Sequence, residues 1–128
     1  GIQRVPSPKL TLFIKRQFLS SEECAGVMRL IDGNRRPSTL ANYNGDESFR
    51  TSQTCDLDGE DPIVKAIDEK IAAFTRLDPK YGEPMQGQHY SVGQEFKAHT
   101  DYFDVQSADY EQYTKVSGQR TWTVMVYL

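Results

Sequence analysis

The chain lacks any apolar run near the roughly 18 residues that a membrane-crossing helix needs, which excludes a helical span. It has only two cysteines, Cys24 and Cys55, far apart and outside any CxxC pair. That argues against a disulfide-stapled scaffold or a thiolate metal site. Two buried free thiols in a reducing, cytoplasmic setting are expected instead. No charge of one sign dominates: 15 Lys and Arg stand interspersed with 18 Asp and Glu, for a net −3. With no basic stripe, nucleic acid is not expected as a partner, and no membrane partner is expected either. No signal-peptide pattern precedes the first strand, no internal repeat or low-complexity stretch is visible, and the first residue is Gly1, which suggests a processed end. Histidine is scarce too, with only His89 and His99.

What remains is sufficient for a fold. A hydrophobic fraction of 38 % with 26 % charged residues reads as globular rather than disordered. A length of 128 residues suits a single domain, 1–128, with a core of its own.

The N-terminal part alternates strand and helix signals. Residues 9–18 alternate loosely and predict a strand. Ser20 and Glu23 form a capping box, and Cys24, Val27, Met28 and Ile31 then follow helical spacing as a buried stripe, with Gly33 as the C′ stop. Residues 34–49 read as loop, and the Thr-rich stretch 49–57 reads as strand. Asp61-Pro62 opens a second helix whose inner face is Ile63, Ile67, Ile71 and Phe74, ending near Leu77. From Met85 the pattern turns to β: a strand over 85–92, a turn at Gly93-Gln94, a strand over 95–101, and a strand over 120–128. The polar segment 102–118 between the last two has the length of a functional lid or a disordered loop. The strongly apolar final strand has no terminator, so the chain reads as truncated after Leu128, with a missing C-terminal segment or a partner chain completing the fold. Taken alone, these elements give an α+β class.

Within the β half, His99-Thr100-Asp101 carries the chemistry. In a strand, residues i and i+2 face the same way, so one imidazole and one carboxylate can converge on one ion. They make two-thirds of the 2-His-1-carboxylate set that holds non-haem Fe(II) with positions left open. A His-x-Asp pair arises by chance in about one comparable sequence in ten, so the surroundings must decide. The bland alternative is a surface salt bridge. His99 must be neutral to ligate, so metal affinity should fall as pH drops through its titration.

The surroundings read Gln86-Gly87-Gln88-His89-Tyr90-Ser91-Val92-Gly93-Gln94-Glu95-Phe96-Lys97-Ala98-His99-Thr100-Asp101, and later Arg120-Thr121-Trp122-Thr123-Val124-Met125-Val126-Tyr127-Leu128. This resembles the catalytic domain of the prolyl 4-hydroxylase family of 2-oxoglutarate, Fe(II)-dependent dioxygenases. The resemblance covers nearly the whole chain and is most specific from residue 86 onward. It implies a double-stranded β-helix (jelly roll) core with N-terminal helices packed on it. It implies His99 and Asp101 as catalytic iron ligands, and Tyr90, Met125 and Tyr127 as lining for 2-oxoglutarate. Ascorbate is implied as an accessory, and a peptide or protein as substrate. The reaction implied is hydroxylation of a prolyl residue with release of succinate and carbon dioxide.

The sequence departs from the family pattern after Tyr127-Leu128. The distal histidine and the Lys or Arg that anchors 2-oxoglutarate have no counterpart, so this chain alone should bind iron weakly and be inactive. His89, adjacent to Tyr90, faces the other way along its strand and is expected to be structural. Thr121, Thr123, Met125 and Tyr127 share one face by alternation, a face suited to a polar ligand. Arg120 is a candidate for substrate binding or an ordinary surface cation. Tyr102, Phe103, Tyr110 and Tyr113 either form an aromatic lid or are simply exposed. Lys97 reads as solvated. Two rivals remain: a non-catalytic β-domain or degenerate relative acting by protein–protein interaction, and an iron enzyme for a free amino acid or other small molecule.

Overall fold

Local capping signals place both long helices. Ser20 caps α1 (Ser21–Asn34): its Oγ accepts from Glu23 N at 3.2 Å, and Glu23 Oε2 accepts from Ser20 N at 2.7 Å. These are the reciprocal bonds of a capping box. Asp61 caps α2 (Pro62–Thr75), its carboxylate accepting from Ile63 N at 2.8 Å, with Pro62 in the first turn, where a missing N–H costs nothing. The computed structural model describes residues 1–40, 45–107, 109–116 and 118–128.

Two helix ends differ from the sequence expectation. α1 runs through Gly33 and stops at Asn34, with Arg35 extended rather than a left-handed glycine as the cap. The chain leaves directly into β3 (Arg36–Pro37), so sheet pairing sets the boundary. α2 ends at Thr75, two residues early, because Arg76 takes the left-handed conformation at φ 59° and donates its N–H to the Ala72 carbonyl.

β4 (Gln53–Asp56) is the centre of a three-stranded antiparallel sheet, between β3 and β5 (Gln86–His89). In this register Cys55 faces Gly87 and Gln53 faces His89. α1 lies across β4 and β5 and touches α2. The core forms there from Val27 and Ile31 of α1, Cys55 and Leu57, and Val64 and Ile67 of α2. Burying each of the large aliphatic side chains contributes about 1.5–3 kcal/mol before entropy is charged. The predicted helical stripe is narrower than expected, since Met28 is 48 % exposed and Phe74 packs only edge-on against Phe18 at 5.5 Å.

A second sheet is a hairpin of β1 (Ile2–Val5) and β2 (Leu12–Lys15), with Ile2 opposite Lys15. The expected strand over 9–18 is thus four residues long, and its partner β1 was not anticipated. Part of segment 102–118 is the short helix α3 (Asp109–Thr114).

The expected strands over 95–101 and 120–128 are not strands here. Residues 95–97 make one bridge, Arg50 to Phe96, flanked by Thr51 N to Glu95 O and Lys97 N to Phe49 O, each 2.9 Å. Residues 120–128 follow no ladder among the described residues. High β propensity fixes no strand without a neighbour to bond. The observed class is α+β, with small antiparallel sheets and three α-helices among the described residues. No helix there is long and apolar enough to cross a membrane.

Candidate metal-ligating site

His99 and Asp101 meet without a regular strand beneath them. His99 Nε2 lies 3.4 Å from Asp101 Oδ1. His99 Nδ1 lies 2.7 Å from the Lys97 carbonyl oxygen. A carbonyl only accepts, so Nδ1 must carry the proton and donate. In the neutral ring, Nε2 then presents its lone pair to Asp101. Two acceptor atoms at that distance attract no one on their own; a proton on Nε2 or a cation between the two would satisfy both. Ligand bonds of about 2.1 Å at near-right angles would set two donors about 3 Å apart, close to the spacing seen.

The imidazole is held on its face as well as at Nδ1. Phe96 stacks on it with centroids 3.7 Å apart and planes 18° apart. The Arg50 guanidinium lies 4.6 Å from the Phe96 ring centre, and Phe49 meets that ring edge-on at 5.9 Å. Arg50 also donates to Thr39 O at 2.8 Å and to Thr54 Oγ1 at 3.2 Å, and burial pulls its guanidinium below the ordinary arginine value. Ser38 Oγ shares hydrogen bonds with Ser52 Oγ and Thr54 Oγ1, so this hydroxyl cluster anchors the arginine.

Asp101 is held from the other side. Thr123 Oγ1 donates to Asp101 Oδ2 at 2.6 Å, and Arg120 Nη1 donates to the Asp101 carbonyl at 3.2 Å. Arg120 is itself gripped by Glu83, Nε to Oε1 at 2.5 Å and Nη2 to Oε2 at 2.6 Å, and it lies over the Phe103 ring at 4.4 Å. Those bonds to Glu83 push the Arg120 guanidinium above its ordinary value. No third His, Cys, Asp or Glu joins the pair among the described residues.

Of the other predicted site residues, Arg120 reaches this pair, through the Asp101 carbonyl. Tyr90 Oη donates to Gln88 Oε1 at 2.9 Å. Met125 and Tyr127 stand mostly in solvent, at 68 % and 87 % exposure. His89 is half-buried, and its Nδ1 has no hydrogen-bond partner among the described residues. Lys97 is not simply solvated: its Nζ donates to Ser48 Oγ at 2.7 Å and to Asp46 Oδ2 at 3.1 Å, and Ser48 and Lys97 together hold the Asp46 carboxyl below the usual range. Phe103 is no lid. It is buried, stacked on Tyr113 at 5.1 Å and tied by its backbone to the Gln119 amide. Sequence reasoning did not find Glu83, and no local pattern marks it, because its partner lies 37 residues away.

No family model matches the chain. Curated relatives do. The chain is 36 % identical over 121 residues to the Arabidopsis thaliana protein named Probable prolyl 4-hydroxylase 3, covering 91 % of this chain and 40 % of that protein. It is 36 % identical over 120 residues to Prolyl 4-hydroxylase 5 of the same plant, covering 90 % and 40 %. It is 34 % identical over 131 aligned positions to Prolyl 4-hydroxylase 2, also from that plant, covering 95 % and 41 %. The chain therefore spans about two-fifths of the length of the curated relatives it matches.

Proposed function

Because this chain belongs to the prolyl 4-hydroxylase family, we propose that the protein hydroxylates prolyl residues of a peptide or protein, using Fe(II) and 2-oxoglutarate with ascorbate as accessory reductant, and releases succinate and carbon dioxide. The observation that carries this reading is the opposed pair of donor atoms, His99 Nε2 and Asp101 Oδ1, 3.4 Å apart. The donor set fits Fe(II): one neutral imidazole and one hard carboxylate are two members of a facial triad. When bound, the iron with 2-oxoglutarate supplies the oxidising power for attack on an unactivated C–H bond.

The residues of this chain have the following parts in that scheme. His99 and Asp101 hold the metal. The Lys97 carbonyl keeps the His99 proton on Nδ1, so that Nε2 stays free to ligate. Tyr90, Met125 and Tyr127 line the cosubstrate pocket, and Arg120 offers donors to a substrate carbonyl. We infer a double-stranded β-helix as the underlying fold.

The test is succinate formation from 2-oxoglutarate with Fe(II), ascorbate and a proline-rich peptide. It uses the protein in its full natural length and its His99→Ala variant. Turnover that His99→Ala abolishes supports the reading. No turnover together with no Fe(II) binding overturns it in favour of a non-catalytic β-domain, which the two-donor set among the described residues would suit.

A further inference from the structure

We propose that Thr123 is the positioning residue of Asp101, its hydroxyl holding one carboxylate oxygen so that the other is turned toward His99. The inference rests on the metal reading of His99 and Asp101 given above and deepens it.

An aspartate carboxylate, turning about two bonds, has two equivalent oxygens and no intrinsic reason to aim one at a neighbour. Here the two oxygens are distinguished. Oδ2 accepts from Thr123 Oγ1 at 2.6 Å, a short hydrogen bond to a charged acceptor. Oδ1 is left facing His99 Nε2 at 3.4 Å. The bond does two things. It fixes the plane of the carboxylate, and it occupies the oxygen that would otherwise swing in to chelate the same ion with both oxygens. A one-oxygen ligand leaves more of the metal's coordination sphere for other groups.

The contact is anchored rather than incidental. The segment that carries Thr123 also grips the main chain of Asp101 through Arg120 Nη1, at 3.2 Å from the carbonyl. Arg120 in turn is fixed by two bonds to Glu83. Asp101 is therefore held at backbone and side chain by residues 19 and 22 positions away. The imidazole has its matching restraint in the Lys97 carbonyl and the Phe96 ring. Both donors are set before any ion is present.

Mn(II) alone is the probe, because free Mn(II) is counted directly by electron paramagnetic resonance and needs no turnover. The protein in its full natural length is compared with His99→Ala, Thr123→Val, Thr123→Ala and Thr123→Ser, with circular dichroism and urea midpoints recorded for each. Thr123 is exposed, so loss of its hydroxyl should leave the fold intact. Groups that hydrogen-bond a ligating carboxylate typically carry about 10–100-fold in metal affinity. The expected result is that His99→Ala abolishes binding, Thr123→Val and Thr123→Ala weaken it by about tenfold or more, and Thr123→Ser restores it to within a few-fold. If Thr123→Val and Thr123→Ala bind like the wild type while His99→Ala does not, the positioning role is overturned and the metal site stands. Weakening that Thr123→Ser fails to relieve assigns the loss to packing and also overturns the role. Absence of binding in the wild type, or undiminished binding in His99→Ala, overturns both readings.

Discussion

Gly87 of β5 lies directly beneath Ile31 of α1, so close that a methyl group on Gly87 would overlap Ile31 Cγ1 and Cδ1. The pair fixes how near the helix comes to the sheet, and Ile31 is itself a core residue. Gly87→Ala gains about 0.4–1 kcal/mol by restricting the unfolded chain. It loses about 1–3 kcal/mol to overpacking. Overpacking wins, and the variant should unfold at lower urea. In an Ile31→Ala background the new methyl enters vacated space, so the second substitution should cost less than it does alone. Additive costs in urea melts of the four proteins would refute the contact.

Glu23 gathers a backbone amide and a cation onto one carboxylate, its Oε2 accepting from Ser20 N at 2.7 Å and its Oε1 from Lys70 Nζ at 2.5 Å. The bond from Lys70 first, then that from Ser20, hold its carboxyl below the ordinary glutamate value. A depressed carboxylate stabilises the fold above its unfolded value of about 4.3 and loses that contribution as pH falls through the folded value. Glu23→Gln keeps a capping-box side chain and removes only the charge. Urea midpoints of wild type and Glu23→Gln should therefore converge near pH 2, separate, wild type higher, as pH rises through the folded value, and keep a constant difference above about 4.3. A difference independent of pH would show that the charge is not the cause.

The parts of the fold legible in the sequence are those decided within a few residues. Ser20 with Glu23, and Asp61 with Pro62, state two helix starts because capping is local. Gly93 at φ 86°, with Gln94 N bonded to Ser91 O, is the turn its sequence predicts. Where a boundary depends on a distant partner, pattern failed. Gly33 stays helical because β3 pairing ends the helix, and 120–128 has strand composition without a ladder. The site divides the same way. His-x-Asp spacing is visible in one line of sequence, and the two side chains do converge, though through a bend rather than the expected strand. The groups that aim them, Thr123, Arg120 with Glu83, and Phe96 with Arg50, meet across long sequence separations that no local period encodes.

Cys55 and Cys24 should differ sharply toward alkylation. Cys55 is 2 % exposed, its S–H directed at the Leu30 carbonyl at 3.6 Å, and burial pushes its thiol above the ordinary cysteine value. The thiolate is the nucleophile, so Cys55 is doubly protected, by access and by protonation. Cys24 is only half-buried on α1. With iodoacetamide near pH 7.5, peptide mass spectrometry should find Cys24 modified first and Cys55 only once denaturant is added. Equal rates in the native protein would contradict the packing of β4 beneath α1.

The Glu83–Arg120 fork should be measurable but modest. Both side chains are partly open to solvent, at 52 % and 37 %, so water screens the pair. Exposed ion pairs give about 0.2–1 kcal/mol, and a two-bond fork belongs near the top of that range. Lysine can replace the charge of Arg120 but neither the fork nor the flat contact over Phe103. A cycle of Glu83→Gln and Arg120→Lys should therefore show a coupling of about 0.5–1 kcal/mol in urea melts, shrinking toward zero in 1 M salt, where the screening length falls to about 3 Å. The pairing also bears on what Arg120 can bind. With Glu83 already neutralising it, the guanidinium suits a neutral backbone carbonyl better than a second carboxylate. In peptide assays of the full-length protein, amidating the C-terminus of a prolyl peptide should leave KM within about twofold, because loss of a carboxylate that Arg120 never bound removes no interaction. A large rise in KM on amidation would mean that Arg120, or another cation, holds that carboxylate, and would reverse the expected role of the fork.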